Sequence, residues 1–375
     1  MLKKTIMWLL FVNGASALAA DCDNFLNFSG DVDATRAEFQ KQPQQMSWQW
    51  FRCLNQPVNA NAREWEMLKP TSQVYLSDGA KPLPYAQRTV TPAEVITQAT
   101  TLGMDTSKVF HDLDAKLQVD GLPLEMGGAS PPATTAQFVR YQLLMNAGTF
   151  DYVVKQAVYN VNGQEALTSA LDFPANAWEL KTSWLWVGNN QTYLRLLIKD
   201  KYEIANGYYK DSDGTYKVGY VALSGMHIIN KLFEEWVWIT FENRNNPKYT
   251  ITNGFPATPM VNTTGPTAAA KVQNAIFQQA NPTLSEYELI GVQWGFGKGP
   301  QLLASSQMES AFQSRSSCIA CHQTAAYSAD DGYYNFAHKE NGGILYPIEE
   351  TPTSAFTNYN MLDFVWSLKR ASWSR

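Results

Sequence analysis

The sequence predicts an α+β fold, with a helical N-terminal part, a central antiparallel β-sheet and a mostly helical C-terminal segment. Three features carry that expectation. Between residues 178 and 243, runs such as WELKTSWLWV and EWVWITFEN are dense in aromatic and β-branched residues, the composition of strands. From Gln137 onward the apolar positions 138, 141, 144 and 145, then 150, 153, 154, 157 and 158, recur at helical spacing and predict two buried helices split near Gly148. Near the end, Met361, Phe364, Val365 and Leu368 fit the buried stripe of a terminal helix.

The opening stretch, MLKKTIMWLLFVNGASALAADCD, sets Lys3 and Lys4 before an apolar run that ends in the small residues Ala17, Ala19 and Ala20. That order is the layout of a secretory signal peptide over residues 1–20, cleaved after Ala19 or Ala20. Asn13, Gly14 and Ser16 interrupt the run, which makes it a poor membrane span, since spanning takes about 20 apolar residues. Asp21 stands before Cys22 where a lipoprotein signal has a small apolar residue. A soluble exported protein is expected, periplasmic or secreted from a Gram-negative bacterium, with no membrane span after cleavage. Without residues 1–20 the chain keeps 27 basic against 34 acidic residues, a charge of −7, and has no lysine or arginine run. Nucleic acid is therefore not an expected partner, because phosphate recognition needs a clustered basic face.

Residues 21–135 read as a helical N-terminal region. DATRAEFQKQPQQMSWQWFRCLNQ mixes charged and aromatic residues around a break at Pro43, residues 70–92 are turn-rich, and Thr91-Pro92 with Glu94 has the form of a helix start. Cys22 and Cys53 lie 31 apart, which suits a structural disulfide in an oxidising compartment. Residues 136–285 read as a helix plus antiparallel-sheet domain, with DSDG at 211–214 supplying a hairpin turn. The tetrapeptide also touches a calcium-loop pattern, but the downstream acidic ligand is missing at that spacing. Residues 244–285, poor in charge and rich in Asn, Thr, Pro and Ala, read as a long connection, and residues 286–375 close the chain.

In that last segment, SRSSCIACHQTAAYS sets Cys318 and Cys321 three positions apart with His322 directly after. A c-type haem is held by two thioether bonds from cysteines one helical turn apart, and the next histidine is its axial ligand. A zinc site needs further ligands, and the remaining histidines are scattered at 111, 227 and 338. A thioredoxin-like dithiol begins a helix within a βαβ pattern, and residues 296–317 contain no such strand. One covalent haem c on Cys318, Cys321 and His322 is the resulting expectation, and residues 286–375 then read as a cytochrome c-like haem segment.

For the far side of the iron, Met361, 39 residues after His322, is the candidate metal ligand, with His227 as the alternative and an open position as the third choice. His338 and Met308 are weaker candidates. His227 stands among apolar strand residues, where a histidine is hydrogen-bonded, coordinated or in a cleft. With Glu179, Lys181 and Glu242 from the neighbouring strand phrases it makes a candidate polar cluster, in which His227 and Glu179 are candidate acid/base residues.

WELKTSW, GMHIINK and WVWITFEN, followed by MESAFQSRSSCIACH and the terminal DFVWSLKRA, resemble the ELKxxW, GxHIxxK and WxWxTFEH motifs and single CxxCH of secreted proteobacterial proteins of the cytochrome c family. The resemblance spans about residues 135–375 and implies a haem c protein without naming a reaction. Where the family phrase ends in histidine this chain has Asn243, so no metal or haem role carries over to that position.

Three functions are consistent with these features. The first is a mono-haem c-type protein with an electron-transfer or oxidoreductase role, served by a periplasmic redox partner or a small-molecule substrate. The second is a haem-containing ligand-binding or sensor protein without turnover. The third is a zinc-stabilised envelope structural protein. No nucleotide-binding or flavin fingerprint and no Gly-x-Ser-x-Gly turn occurs.

Overall fold

Asp31 opens the first helix by accepting from the Asp33 and Ala34 backbone N–H groups, and Pro43 starts the second because its missing N–H would be unpaired there anyway. These are α1 (Val32–Lys41) and α2 (Pro43–Leu54), followed by a hairpin of β1 (Pro57–Asn59) and β2 (Ala62–Arg63), then β3 (Lys69–Pro70), α3 (Ala93–Thr101) and β4 (Phe110–Asp112). The middle of the chain forms β5 (Arg140–Met145), α4 (Ala147–Lys155), α5 (Val161–Glu165), β6 (Trp178–Gly188), α6 (Gln191–Lys199), β7 (Ile204–Lys210), β8 (Tyr216–Asn230) and β9 (Val237–Asn243). Helix α7 (Ala268–Ala280), β10 (Tyr287–Gln293) and α8 (Cys318–Gln323) precede the short strands β11 (Ala326–Ser328), β12 (Gly332–Tyr333), β13 (His338–Glu340), β14 (Gly343–Leu345) and β15 (Asn360–Met361). This computed structural model describes residue 22 and residues 31–118, 121, 123–126, 137–250, 265–297, 299–340 and 343–374. The expected signal peptide at 1–20 lies outside the described residues.

Eight strands form one sheet in the order β10-β9-β8-β6-β5-β3, with β7 on β8 and β4 on β7. Every pairing is antiparallel except β4 with β7. The DSDG turn closes the β7–β8 hairpin, with Gly214 at φ +86° where a side chain would be strained. Because side chains alternate along a strand, the register sorts the sheet into two unlike faces. Trp178, Leu180, Ile228, Ile239 and Phe241 share one face, which the N-terminal helices cover: Phe51 stacks on Phe241 at 4.1 Å, and Trp48 and Trp50 meet Phe241 and Trp178 edge-on, each at 4.9 Å. Each such buried aromatic contributes about 1.5–3 kcal/mol of hydrophobic stabilisation. A Cys22–Cys53 disulfide, with Cα atoms 5.3 Å apart, ties α2 to the chain before α1.

The expected α+β arrangement is corrected on three points, and antiparallel sheet dominates the fold. Among the described residues of the N-terminal part, α-helix is confined to Cys22, α1, α2 and α3, and the chain from 55 to 92 runs as short strands, 3₁₀ turns and loops. Pro57, Pro70, Pro82 and Pro84 remove backbone donors there and fix φ against helix. The first of the two helices expected after Gln137 is strand β5, and only the second, α4, is a helix. β5 lies inside the sheet between β6 and β3; apolar residues on both of its faces blur the two-residue period and leave a pattern that also fits a helix. The C-terminal segment is not a helical cytochrome-like unit. Its first strand, β10, belongs to the main sheet, its longest helix is the six-residue α8, and the terminal stripe holds β15 and a 3₁₀ turn at Trp366–Arg370. Asp363 and Phe364 interrupt that stripe with φ of +49° and +66°, which no right-handed helix accommodates.

Candidate functional site

The second face of the sheet is polar. On β6, Glu179 and Lys181 point the same way, Lys181 lies opposite His227 on β8, and His227 lies opposite Thr240 on β9. The C-terminal segment docks on this face through hydrogen bonds. Glu242 accepts from the Ser306 N–H at 2.7 Å and from the Ser306 hydroxyl, and the Tyr141 hydroxyl donates to the Gln307 carbonyl at 2.6 Å. Gln293 accepts from the Ile319 N–H at 3.1 Å in the first turn of α8, and the Ser367 hydroxyl donates to Glu179 at 2.6 Å. These contacts seat the CIACH helix over the sheet and enclose between them a cavity of about 300 Å³, the lower end of the range usual for small-molecule and cofactor sites.

Five of the sequence-derived site residues converge on this cavity. Glu179 and His227 line it from the sheet, and Cys318, Cys321 and His322 line it from α8, alongside Lys181, Glu309, Trp238, Trp366 and Arg370. Met361 is not among its lining residues: it pairs with Ala326, and its carbonyl accepts from the Leu171 N–H. Met308 is fully buried in the core on the sheet. The backbone of His338 lies in β13. Asn243 accepts from the Asn245 N–H at 2.9 Å at the end of β9. Glu242, grouped with His227 by sequence, tethers Ser306 instead.

His322 is held in one tautomer. Its Nδ1 lies 2.8 Å from the Phe364 carbonyl oxygen, which can only accept, so Nδ1 carries the proton and Nε2 keeps its lone pair. The ring packs against Trp238 with centroids 4.2 Å apart. Burial pushes the imidazole down to about 4, with Lys181 and His227 adding to the effect against the Phe364 bond, so the ring is neutral near pH 7. The Phe364 carbonyl is held in place by the left-handed pair Asp363–Phe364. Lys231 Nζ reaches Asp363 Oδ1 at 2.6 Å, and the Phe173 N–H donates to Oδ2 at 2.7 Å.

Cys318 and Cys321 are free thiols, 3.9 Å from the Leu303 carbonyl and 3.7 Å from the Pro347 carbonyl. Burial raises both, Cys318 well above its ordinary value and Cys321 to about 12. A working redox dithiol has the opposite property, a lowered thiol. Among the described residues no group of three or more His, Cys, Asp or Glu side chains could hold a metal ion. Two unpaired cysteines one turn apart, a neutral histidine with a bare Nε2, and a cavity walled by aromatic rings with Lys181 and Arg370 at its edge fit a covalently bound haem.

His227 has both ring nitrogens engaged. Nε2 lies 3.3 Å from Glu309 Oε2, and Nδ1 lies 3.0 Å from the Thr240 hydroxyl. Burial acts to raise Glu309, but the facing His227, with Lys181 and the Ser305 N–H, holds its carboxyl below the usual value. An ionised Glu309 can accept from Nε2–H, and Nδ1 shares a hydrogen bond with the Thr240 hydroxyl. Sequence reasoning missed Glu309 because MESAF has no periodic or motif signal. It also missed the carbonyl of Phe364, because a backbone acceptor leaves no trace in residue type. A lysine at the end of the apolar phrase GMHIINK was the one readable hint of the Lys231–Asp363 pair.

Comparisons with protein-family models, with curated proteins and with solved structures find no match for this chain.

Proposed function

We propose that the protein is an exported mono-haem c-type protein whose haem is bonded to Cys318 and Cys321 and ligated by His322, and that it acts as an oxidoreductase on a small molecule that reaches the haem. The observation that carries this reading is the convergence on one cavity of two free cysteine thiols and a histidine already in the ligating tautomer. The likeness of the strand phrases and CxxCH to secreted cytochrome c family proteins points the same way. The Cys22–Cys53 disulfide suits the periplasm or the extracellular space. Among the described residues no helix is long and apolar enough to cross a membrane.

When bound in the cavity, haem would supply a one-electron couple whose potential its protein ligands and the surrounding dielectric would tune. The chain's own residues supply the rest. His322 offers Nε2, and the Phe364 carbonyl fixes its ring. The His227–Glu309 pair can hold a proton at Nε2 and deliver it to a reacting atom in the cavity. Lys181 adds positive potential that favours an anionic or electron-rich guest. His227 would have to give up a hydrogen bond to bind iron, and Met361 lies off the cavity, which favours a position open to a substrate over a pure electron carrier. A periplasmic electron-transfer protein remains the natural redox partner.

Protein produced with haem maturation tests the reading. Haem staining after denaturing electrophoresis is expected to mark the wild-type band and not Cys318→Ala/Cys321→Ala, and the reduced spectrum is expected to change on adding carbon monoxide. Haem lost from wild type on denaturation would overturn the attachment. A spectrum unmoved by carbon monoxide would remove the substrate-open position and leave electron transfer alone.

A further inference from the structure

The central cavity is joined to the outside by a hydrogen-bonded chain that the reading above does not use. Glu179 lines the cavity, and its Oε1 takes the Ser367 hydroxyl at 2.6 Å. Ser367 Oγ in turn lies 3.2 Å from the Tyr75 hydroxyl. Tyr75 lines a second, more open cleft, with Ser72, Asp78 and Asp114, and Arg370 borders both spaces. The three members are almost wholly buried, with exposures of 6%, 4% and 6% for Glu179, Ser367 and Tyr75. The register explains why they meet. Glu179 pairs with Met145 on β5, Met145 pairs with Lys69 on β3, and the turn after β3 brings Tyr75 back towards the strand that carries Glu179.

We propose that Tyr75, Ser367 and Glu179 form a proton path between the outer cleft and the central cavity, supplying protons to reductions carried out there. Each member both donates and accepts, as a relay requires. A proton arriving from cleft water binds the Tyr75 oxygen as the phenolic proton passes to Ser367 and the Ser367 proton passes to the Glu179 carboxylate. One proton enters, a carboxylic acid is formed, and neither hydroxyl is left charged. Burial raises Glu179 to about 7, so both of its forms are accessible near neutrality, and burial with the nearby Glu179 charge keeps Tyr75 un-ionised. The groups around Glu179 are Lys181 on its own strand, His227 on β8, Tyr75 after β3, and Lys369 and Arg370 from the C-terminal turn; its cross-strand neighbours Met145 and Ile229 are apolar.

The use of the delivered proton rests on the haem reading; the path itself does not. Infrared spectra of the full chain carrying carbon-labelled glutamate, with Glu179→Gln to identify the band, report the Glu179 carboxylic acid directly, with or without haem. After rapid mixing into heavy water, the band is expected to shift promptly in wild type. In Tyr75→Phe and in Ser367→Ala the shift should be slowed by about tenfold or more, with the band itself retained. Tyr333→Phe, which removes a phenol bonded to Gln164 and the Leu368 carbonyl, is expected to exchange like wild type. Wild-type exchange in Tyr75→Phe would mean that cavity water feeds Glu179, and the path would be wrong. Absence of haem from the purified protein would sink the proposed function, while the exchange rates would still decide the path.

Discussion

Replacing Asp363 by alanine tests the turn that orients His322. Asp363 and Phe364 are consecutive residues at φ +49° and +66°, a backbone that costs an L-residue about 1–2 kcal/mol per position and persists only where its surroundings hold it. The Asp363 carboxylate is that support, through Lys231 at 2.6 Å and the Phe173 N–H at 2.7 Å. Burial raises Asp363 to about 6 against the pull of Lys231, so the pair is ionised at mildly alkaline pH, where the measurement belongs. Breaking a buried pair from one side costs about 3–5 kcal/mol. Lys231 would keep the Glu234 carbonyl at 3.2 Å and the exposed Asp172 at 3.4 Å, which places Asp363→Ala near the lower end, about 3 kcal/mol. Asp363→Asn keeps the shape and the tolerance for positive φ and is expected to lose about 1–2 kcal/mol. Urea unfolding followed by tryptophan fluorescence measures both, and nitrogen–proton correlation spectra of the His322 ring report its tautomer. Wild type should show Nδ1–H, and Asp363→Ala a mixture. A loss below about 1 kcal/mol with the tautomer unchanged would show that packing of Leu362 and Val365 holds the turn and that the ion pair does not.

Other outcomes follow from the same geometry. Reducing Cys22–Cys53, or replacing both by serine, should lower stability by about 3–4 kcal/mol in the chain-entropy model; alkylation of both thiols in native, unreduced protein would show that the bond is absent. Burial raises Glu179 from 4.5 to about 7, opposed by the Ser367 bond and Arg370. Between those values the folded chain holds more protons at this site than the unfolded chain. Stability should therefore fall as pH rises through that window, by about 3 kcal/mol in all. Glu179→Gln should remove that decline, and equal slopes in melts of wild type and variant would rule out a raised carboxyl.

The sequence was most legible where the chemistry is local. The spacing of Cys318, Cys321 and His322 needs one turn of helix, and α8 provides it. The strand phrases between 178 and 243 form strands because aromatic and β-branched residues suit a pleated, half-buried surface. Cys22 and Cys53 bond as their pairing suggested. Periodicity failed where burial was two-sided or where backbone geometry was imposed from a distance. At Tyr141, Leu144 and Met145 a strand inside the sheet showed the spacing of a helix. At Met361, Phe364, Val365 and Leu368 a helical stripe was broken by a left-handed turn held by Lys231, 132 residues earlier in the chain.

By itself, then, the sequence determined the one-turn spacing of the CIACH residues, the cysteine pairing and the strand phrases, since each depends on residue type. Only the tertiary structure decided that Glu179, His227 and Glu309 share a cavity with that motif, that Nδ1 of His322 carries the proton, and that Tyr75 reaches Glu179 through Ser367. Those facts rest on strand register and on backbone acceptors, and neither leaves a mark on the identity of the residues involved.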